Sequence, residues 1–381
     1  MGEPSPFGPG NPDRPSLRYL FLRFLRHGLL AWGGPVAQIG LMHRELVERD
    51  AWIGETRFRK VLALYQALPG PEAHELAVYF GMLKRGRWGA VATGLAFMLP
   101  GVLLITLLAA LYVRYAATLQ IADALLYGAR PAILALVAVA FVRLARASLT
   151  RIEHIVSATA AALIGFLRPD APFLLVLLAG AALGWAGTGV AARRLLLVPL
   201  VAFPAFSPAG LGALAWLALK VGLLTFGGAY TAVPILHQGA VTEHAWLTNA
   251  QFLDALALSS LVPGPLIAVG TFVGYEAAGL AGAALATLLI FAPAFAFTLV
   301  GHAWFERIVE NEQLHAALLG VAAAVIGLIL PTLAALGQAA IFDATTAVLA
   351  LACLAATLSR RIPLPFVILA GSGMGLAARA L

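Results

Sequence analysis

Apolar residues run through this chain in long blocks separated by short polar turns, and Gly-Gly or Pro-Gly-Pro interrupts those blocks at four places. Tyr65-Gln66-Ala67-Leu68-Pro69-Gly70-Pro71 breaks one apolar helix, and the pattern returns as Ser259-Ser260-Leu261-Val262-Pro263-Gly264-Pro265. Pro disfavours helix in the residue before it, Gly takes dihedrals that other residues avoid, and a second Pro suits the first turn of a new helix. Each copy therefore predicts a helix, a tight turn and a second helix. The arm over residues 57–68 rises about 18 Å at 1.5 Å per residue, short of the roughly 30 Å hydrocarbon core. A re-entrant hairpin follows, whose tip stops inside the membrane where freed backbone groups face protein or a water-filled cavity. A proline kink in one long helix would use the same residues, and the duplication favours the hairpin.

Pro69 and Pro263 stand 194 positions apart, and the same offset pairs Arg26 with Lys220, Gly28 with Gly222, Gly33-Gly34 with Gly227-Gly228, Trp52 with Trp246 and Phe58 with Phe252. One residue fewer pairs Gly81 with Gly274, Gly86 with Gly279, Gly89 with Gly282 and Pro100 with Pro293. The chain reads as a tandem duplication of 17–187 and 211–381, joined by a proline-containing linker over 188–210. Each half predicts a first segment broken at Gly-Gly (18–42 in the first half), the hairpin (57–84), and spans near 89–113, 122–146, 152–167 and 171–187. If the Gly-Gly segment crosses and the hairpin does not, each half has five crossings. The second half is then inserted upside down, and the fold class is an all-α integral membrane protein built as an inverted repeat.

Composition fits this reading, since 61% of the residues are hydrophobic and 11% charged. Residues 1–16 are rich in Pro, Gly and polar residues without an apolar core, which predicts a disordered tail rather than a signal peptide. The single Cys353 excludes an internal disulfide, no Cys/His spacing suits a metal, and no cofactor is expected. The net charge of +7 reads as the cytoplasmic excess of Lys and Arg of a multi-pass protein of the cell (plasma or inner) membrane, and nucleic acid is not indicated as a partner. On the five-crossing topology one face collects Arg44, Arg57, Arg59, Lys60, Lys84, Arg85, Arg87, Arg143, Arg146 and Arg151, with Arg193, Arg194, Arg360 and Arg361. The same topology sends Arg14, Arg18, Arg23 and Arg26 to or near the other face, against the positive-inside rule.

Phe-Leu-Arg-His-Gly-Leu-Leu-Ala-Trp-Gly-Gly-Pro (24–35), Gln-Ala-Leu-Pro-Gly-Pro (66–71) and Lys-Val-Gly-Leu-Leu-Thr-Phe-Gly-Gly-Ala-Tyr (220–230) resemble the chromate ion transporter (CHR) family. The resemblance covers nearly the whole chain after Ser16 and implies a long-chain, two-domain efflux protein. Its implied cargo is chromate, an oxyanion similar to sulfate, exchanged against protons or another ion. The second copy departs from the first in having Ala229 where the first has Pro35. Sulfate transport and a passive anion channel stay open as alternatives, as does a homodimer. A membrane enzyme finds no support, because no His-Glu-x-x-His, paired Cys or nucleotide-binding Gly-rich motif occurs.

A dianion in the bilayer needs positive potential, and helix N-termini at the hairpin tips, Pro69-Gly70-Pro71 and Pro263-Gly264-Pro265, offer partial charge and free N–H donors. Gly33-Gly34 and Gly227-Gly228 add exposed amides or allow close helix packing. Arg26 and Lys220, the cationic pair preserved by the duplication, are candidate anion ligands, with snorkelling to an interface as the structural alternative. Arg130, well inside a span, is a third candidate cation. Gln66, Ser259 and Ser260 can hydrogen-bond oxyanion oxygens. Glu72, His74 and Glu75 follow the first break, where the second has Leu266, Ile267 and Ala268, which makes them candidates for proton coupling or, for the acids, for complementing the helix dipole.

Overall fold

The computed structural model describes residues 15–30, 32, 34–67, 70–116, 120–169, 171–186, 210–225, 228–310, 312–359 and 361–380. Residues 1–14 of the tail expected over 1–16, residues 188–209 of the linker expected over 188–210, and Gly33, Pro69 and Gly227 lie outside them. Among the described residues every regular element is helical. The first half comprises α1 (Leu17–Leu30), α2 (Gly34–Met42), a π-helical stretch (His43–Arg49), α3 (Glu55–Ala67), α4 (Glu72–Tyr115), α5 (Gln120–Ser148), α6 (Ile152–Leu167) and α7 (Phe173–Ala186). The second half repeats that order with α8 (Leu211–Leu224), α9 (Ala232–His237), a π-helical stretch (Gln238–Glu243), α10 (Asn249–Ser260), α11 (Val269–Glu310), α12 (Glu312–Ala340), α13 (Ala344–Leu358) and α14 (Leu364–Ala380).

Gly-Gly ends α1 and α8, and Pro-Gly-Pro separates α3 from α4 and α10 from α11. α4 is itself bent, because Arg85 and Gly86 leave helical dihedrals and turn its first arm (72–84) back along its second (87–115). The arms touch where side chains are absent: a methyl on Gly81 would stand 2.3 Å from the Gly89 carbonyl oxygen, and one on Gly274 would stand 2.4 Å from that of Gly282. Thr93 also donates to the Ala77 carbonyl across the first pair of arms at 2.7 Å.

The duplication is visible in the backbone. Gly86 and Gly279 share φ 61°, and Ala51 and Ala245, whose side chains disfavour positive φ, sit at 46° and 49°. His43 meets the Phe58 ring and the Glu55 carboxylate, while their counterparts His237, Phe252 and Asn249 meet in the same way. Gly28 lets α1 lie on the Phe97 carbonyl as Gly222 lets α8 lie on that of Ile290.

Contacts between the halves fix their relative orientation. Gly94 packs on Phe295 and the Tyr65 hydroxyl bonds that of Thr298 at 3.0 Å. Tyr112, near the end of α4, bonds Asp254 and packs on Phe272, in the arms of the second hairpin. Early residues of one long arm therefore meet late residues of the other, so the two arms run antiparallel and the halves are inverted. The contacts are also reciprocal: Gly128 packs on Gly371 and Gly375, and their counterparts Gly320, Gly180 and Gly184 pack together in turn. Such exchange of equivalent surfaces marks a two-fold axis. It leaves α5 held by α13 and α14, and α12 by α6 and α7.

Two expectations change. The Gly-Gly segment does not cross; it doubles back. Glu45 faces Arg26 at 3.7 Å and His27 at 3.3 Å, Asp50 pairs with Arg23, and Trp52 lies against Phe24 and Phe80. Residues 45–52 thus return to the level of 23–27, where Glu45 and Asp50 meet their partners on α1. The five-crossing count fails with it, and inversion rests on the antiparallel contacts instead. Arg85 donates to the Pro15 carbonyl at 3.0 Å, so Arg18, Arg23 and Arg26 belong to the same basic face as Lys84, Arg85 and Arg87, and their conflict with the charge rule disappears. The second change concerns length. Among the described residues four stretches are long and apolar enough to cross a membrane (Glu72–Tyr115, Ile121–Ser148, Leu266–Leu299 and His315–Ala340). α6, α7, α13 and α14 have 16, 14, 15 and 17 residues, or about 21–26 Å.

Candidate functional site

The two hairpin tips and the two Gly-Gly breaks converge on one cavity of about 440 Å³. Each tip is held by the other half: the Gly70 N–H donates to the Thr225 carbonyl at 2.8 Å, and Gln38 Nε2 donates to the Gly264 carbonyl at 2.7 Å. The inner wall consists of equivalent pairs at the 194 offset, namely Gly34 with Gly228, Pro35 with Ala229, Val36 with Tyr230, Gln66 with Ser260 and Glu72 with Leu266. A cavity lined by both members of five pairs straddles the two-fold axis. Ser259 and Gly264 complete this inner wall.

From there the cavity runs towards the basic face along α5, whose Leu136, Val139, Ala140, Arg143 and Leu144 recur at the spacing of one helix face. Thr357, Leu364 and Pro365, at the junction of α13 and α14, close the other side. Among the described residues Arg143 is the cation that lines this cavity. Sequence reasoning assigned it to the basic face and did not single it out. The Leu136, Ala140, Arg143 spacing was the available signal.

The remaining candidates divide clearly. Gln66, Glu72, Ser259, Ser260, Gly34, Gly228 and Gly264 line the cavity, and Glu72 shares a side-chain hydrogen bond with Gln66. Gly70, Pro71, Pro263 and Pro265 shape the tips without lining it. Arg26 and Lys220 do not line it either. Arg26 is 62% exposed and lies 3.7 Å from Glu45, and Lys220 lies 3.7 Å from Glu243, so both serve the doubled-back segments. Arg130 is also elsewhere. It grips Asp254 through two bonds of 2.8 and 2.9 Å, and the Tyr112 hydroxyl donates to the same carboxylate at 2.8 Å. Asp254 is fully buried, so this carboxylate uses the guanidinium that the sequence suggested for an anion. Asp254 itself was missed, although an aspartate in an apolar arm is a signal.

His74 and Glu75 stand behind the first tip. His74 is enclosed by Phe97, Phe291 and Phe295, and its Nε2 lies 3.2 Å from the Gly94 carbonyl. The Glu75 carboxylate lies against Gly70, where a methyl group would stand 2.6 Å from its Oε1, and neither of its buried oxygens has a hydrogen-bond partner among the described residues. Among the described residues no group of three His, Cys, Asp or Glu side chains is placed to hold a metal. The site is therefore an uneven cup: neutral donors and backbone amides at its floor, one carboxylate in its wall, and one guanidinium towards the basic face.

A sequence model of the chromate transporter family matches residues 18–185 and 212–376, one match in each half. The "Chromate transport protein" of Pseudomonas aeruginosa is 44% identical over 347 residues, covering 86% of this chain and 82% of its own length. The protein of the same name from Cupriavidus metallidurans is 32% identical, covering 95% and 93%. A "Probable chromate transport protein" of Synechococcus elongatus is 31% identical, covering 93% of each. No solved structure matches the chain.

Proposed function

Because the chain belongs to the chromate transporter family, we propose that the two-fold cavity binds chromate and that the protein exports it across the cell membrane with its movement coupled to protons. The observation that carries this reading is the convergence of five equivalent pairs from both halves on one cavity with Arg143 in its outer wall. A tetrahedral dianion has acceptors all round, and the cavity answers with donors of different types: the Gln66 amide, the Ser259 hydroxyl, and the Gly34 and Gly228 backbone, while the Ser260 hydroxyl donates to the Leu256 carbonyl at 2.7 Å. Arg143 draws the anion in from the basic face, which the positive-inside rule makes cytoplasmic. Entry from the cytoplasm means export.

Glu72 supplies the coupling. Beside a bound dianion its ionised form is repelled: two unit charges about 5 Å apart cost roughly 3 kcal/mol at an effective dielectric near 20, and a dianion doubles that. Binding therefore favours proton uptake by the carboxylate, and by linkage the protonated carboxylate tightens binding. Anion and proton then interact at one site without sharing an atom. The deciding experiment measures chromate flux in proteoliposomes under imposed pH gradients for wild type, Arg143→Gln and Glu72→Gln. Arg143→Gln is expected to lose transport at least about tenfold, as a charge-assisted contact is worth roughly 1.5–3 kcal/mol. Glu72→Gln is expected to keep flux down an anion gradient while losing its response to pH. If Glu72→Gln keeps the wild-type pH response, the proton route lies elsewhere; if Arg143→Gln transports normally, the cavity is not the anion site.

A further inference from the structure

A second cavity of about 290 Å³ lies between α6, α7, α12 and the α9 segment. Six positions of its lining repeat positions of the first. Leu136, Val139, Ala140 and Arg143 of α5 correspond, at an offset of 192, to Leu328, Pro331, Thr332 and Ala335 of α12, which line the second. Thr357 and Leu364 of the first correspond, at 191, to Phe166 and Phe173 of the second. These are the offsets that relate the reciprocal glycine contacts, Gly128 to Gly320 and Gly180 to Gly371. The second cavity is therefore the mate, under the same two-fold axis, of the outer part of the first along α5, α13 and α14, and inversion puts the two on opposite faces.

They differ at their inner ends. The first reaches both hairpin tips and both Gly-Gly breaks. The second reaches none of these residues and is walled instead by Pro234 and His237 of α9 and by Gln238. It is an outer chamber cut off from the central site. Its chemistry is also distinct: among the described residues its lining carries Arg168, His237, Gln238, Thr242, Thr332 and Gln338 and no Asp or Glu, with Asp170 outside the described residues. Arg143 has alanine as its counterpart at 335, yet a cation is present from another direction, on the turn after α6. Gln238 Nε2 donates to the neighbouring Pro169 carbonyl at 3.1 Å, which ties that turn to the second half.

We propose that this chamber is a second oxyanion site, the release vestibule on the face opposite the basic one, with Arg168 as its cation. This rests on the reading of the first cavity as the anion site. Both chambers bind the same class of ligand, a hydrated tetrahedral dianion; a water occupies about 30 Å³ in the liquid, so the chamber holds one with part of its hydration. One chamber is joined to the hairpin tips here, and the two-fold relation supplies the geometry in which the other is joined instead. Arg168 meets the anion on release and is absent from the intake side.

The test is sided kinetics in right-side-out and inside-out membrane vesicles, with chromate and sulfate presented to one face at a time. Arg168→Gln is expected to raise the half-saturating concentration for anion presented to the opposite face about tenfold. Half-saturation from the basic face should stay at the wild-type value, and Arg168→Lys should recover most of the loss. Arg143→Gln is expected to show the reverse sidedness. An Arg168→Gln protein present in the membrane at normal abundance with unchanged half-saturation on both faces, or equally changed on both, overturns the second site. If Arg143→Gln alone fails to act from the basic face, it is the reading of the first cavity that falls.

Discussion

The two hairpins share one backbone and carry opposite electrostatics. In the first, the acidic residues stand at the tip and in the second arm: Glu72 lines the cavity, and Glu75 lies buried behind Gly70 with both oxygens lacking a hydrogen-bond partner among the described residues. In the second hairpin those places are Leu266 and Val269, and the carboxylate appears in the first arm as Asp254, bound by Arg130 and Tyr112. Its counterpart in the first hairpin is the exposed Lys60. Duplication thus supplies a symmetric frame, and later substitution places single-copy charges on it. One hairpin keeps its carboxylate against the cavity, where it can respond to an anion. The other is locked to a spanning helix, so the axis relates shapes and not functions.

The sharpest way to break this comparison is at the locked side. Removing one partner of a buried charge pair costs about 3–5 kcal/mol, because the other charge is left uncompensated. Asp254→Asn is expected to destabilise the detergent-solubilised protein by that amount in thermal unfolding, whereas Lys60→Ala should change stability by about 0.5 kcal/mol or less. Combining Asp254→Asn with Arg130→Gln should recover part of the loss. Equal, small effects at 254 and 60 would mean that the pair does not hold the second hairpin.

A smaller difference separates the two tip glycines. Gly70 and Gly264 have φ of 146° and 127°, and a side chain in such a left-handed conformation costs roughly 1–2 kcal/mol at either. The surroundings then split them. A methyl on Gly70 would stand 2.6 Å from Glu75 Oε1 in a packed interior, while one on Gly264 meets only Gly101 Cα at 3.4 Å. Gly70→Ala is therefore expected to be less stable than Gly264→Ala by about 1 kcal/mol, within the range for overpacking. Glu75→Ala in the Gly70→Ala background should narrow that gap. Should Gly264→Ala prove the worse of the two, the Glu75 carboxylate is not seated against the first tip.

How much of this was legible beforehand follows from what kind of signal each residue gives. The repeat, the Gly-Gly breaks and the hairpins were readable because Pro and Gly act through local stereochemistry, which survives any tertiary context. The doubling back of residues 17–52 was not, since hydropathy reports that a segment is apolar and not which way it returns. The partners of Glu45, Asp50 and Trp52 show that. Arg143 escaped for a related reason: the duplication drew attention to cations kept in both halves, and its counterpart is Ala335. Searching for symmetry finds the frame, and here much of the chemistry sits where symmetry is lost.

Arg26 and Lys220 give the smallest expected effect and test that last point directly. They are equivalent, and each faces a carboxylate 3.7 Å away across a doubled-back segment. Arg26 is 62% exposed, and its partner Glu45 also lies 3.6 Å from Arg49 and 3.3 Å from His27, so its loss leaves that carboxylate attended. Exposed pairs of this kind are worth about 0–1 kcal/mol. Lys220 is 14% exposed, is better shielded from solvent, and should matter somewhat more. Arg26→Ala is expected to leave chromate flux and stability near wild type, and Lys220→Ala to cost about 1 kcal/mol in stability with flux retained. The measurement is vesicle flux normalised to membrane abundance, at low and high salt, because screening should remove the Arg26 contribution first. If either variant abolishes flux at normal abundance, that cation reaches the anion in another conformation. Symmetry would then have picked out a ligand that the present geometry keeps outside the cavity.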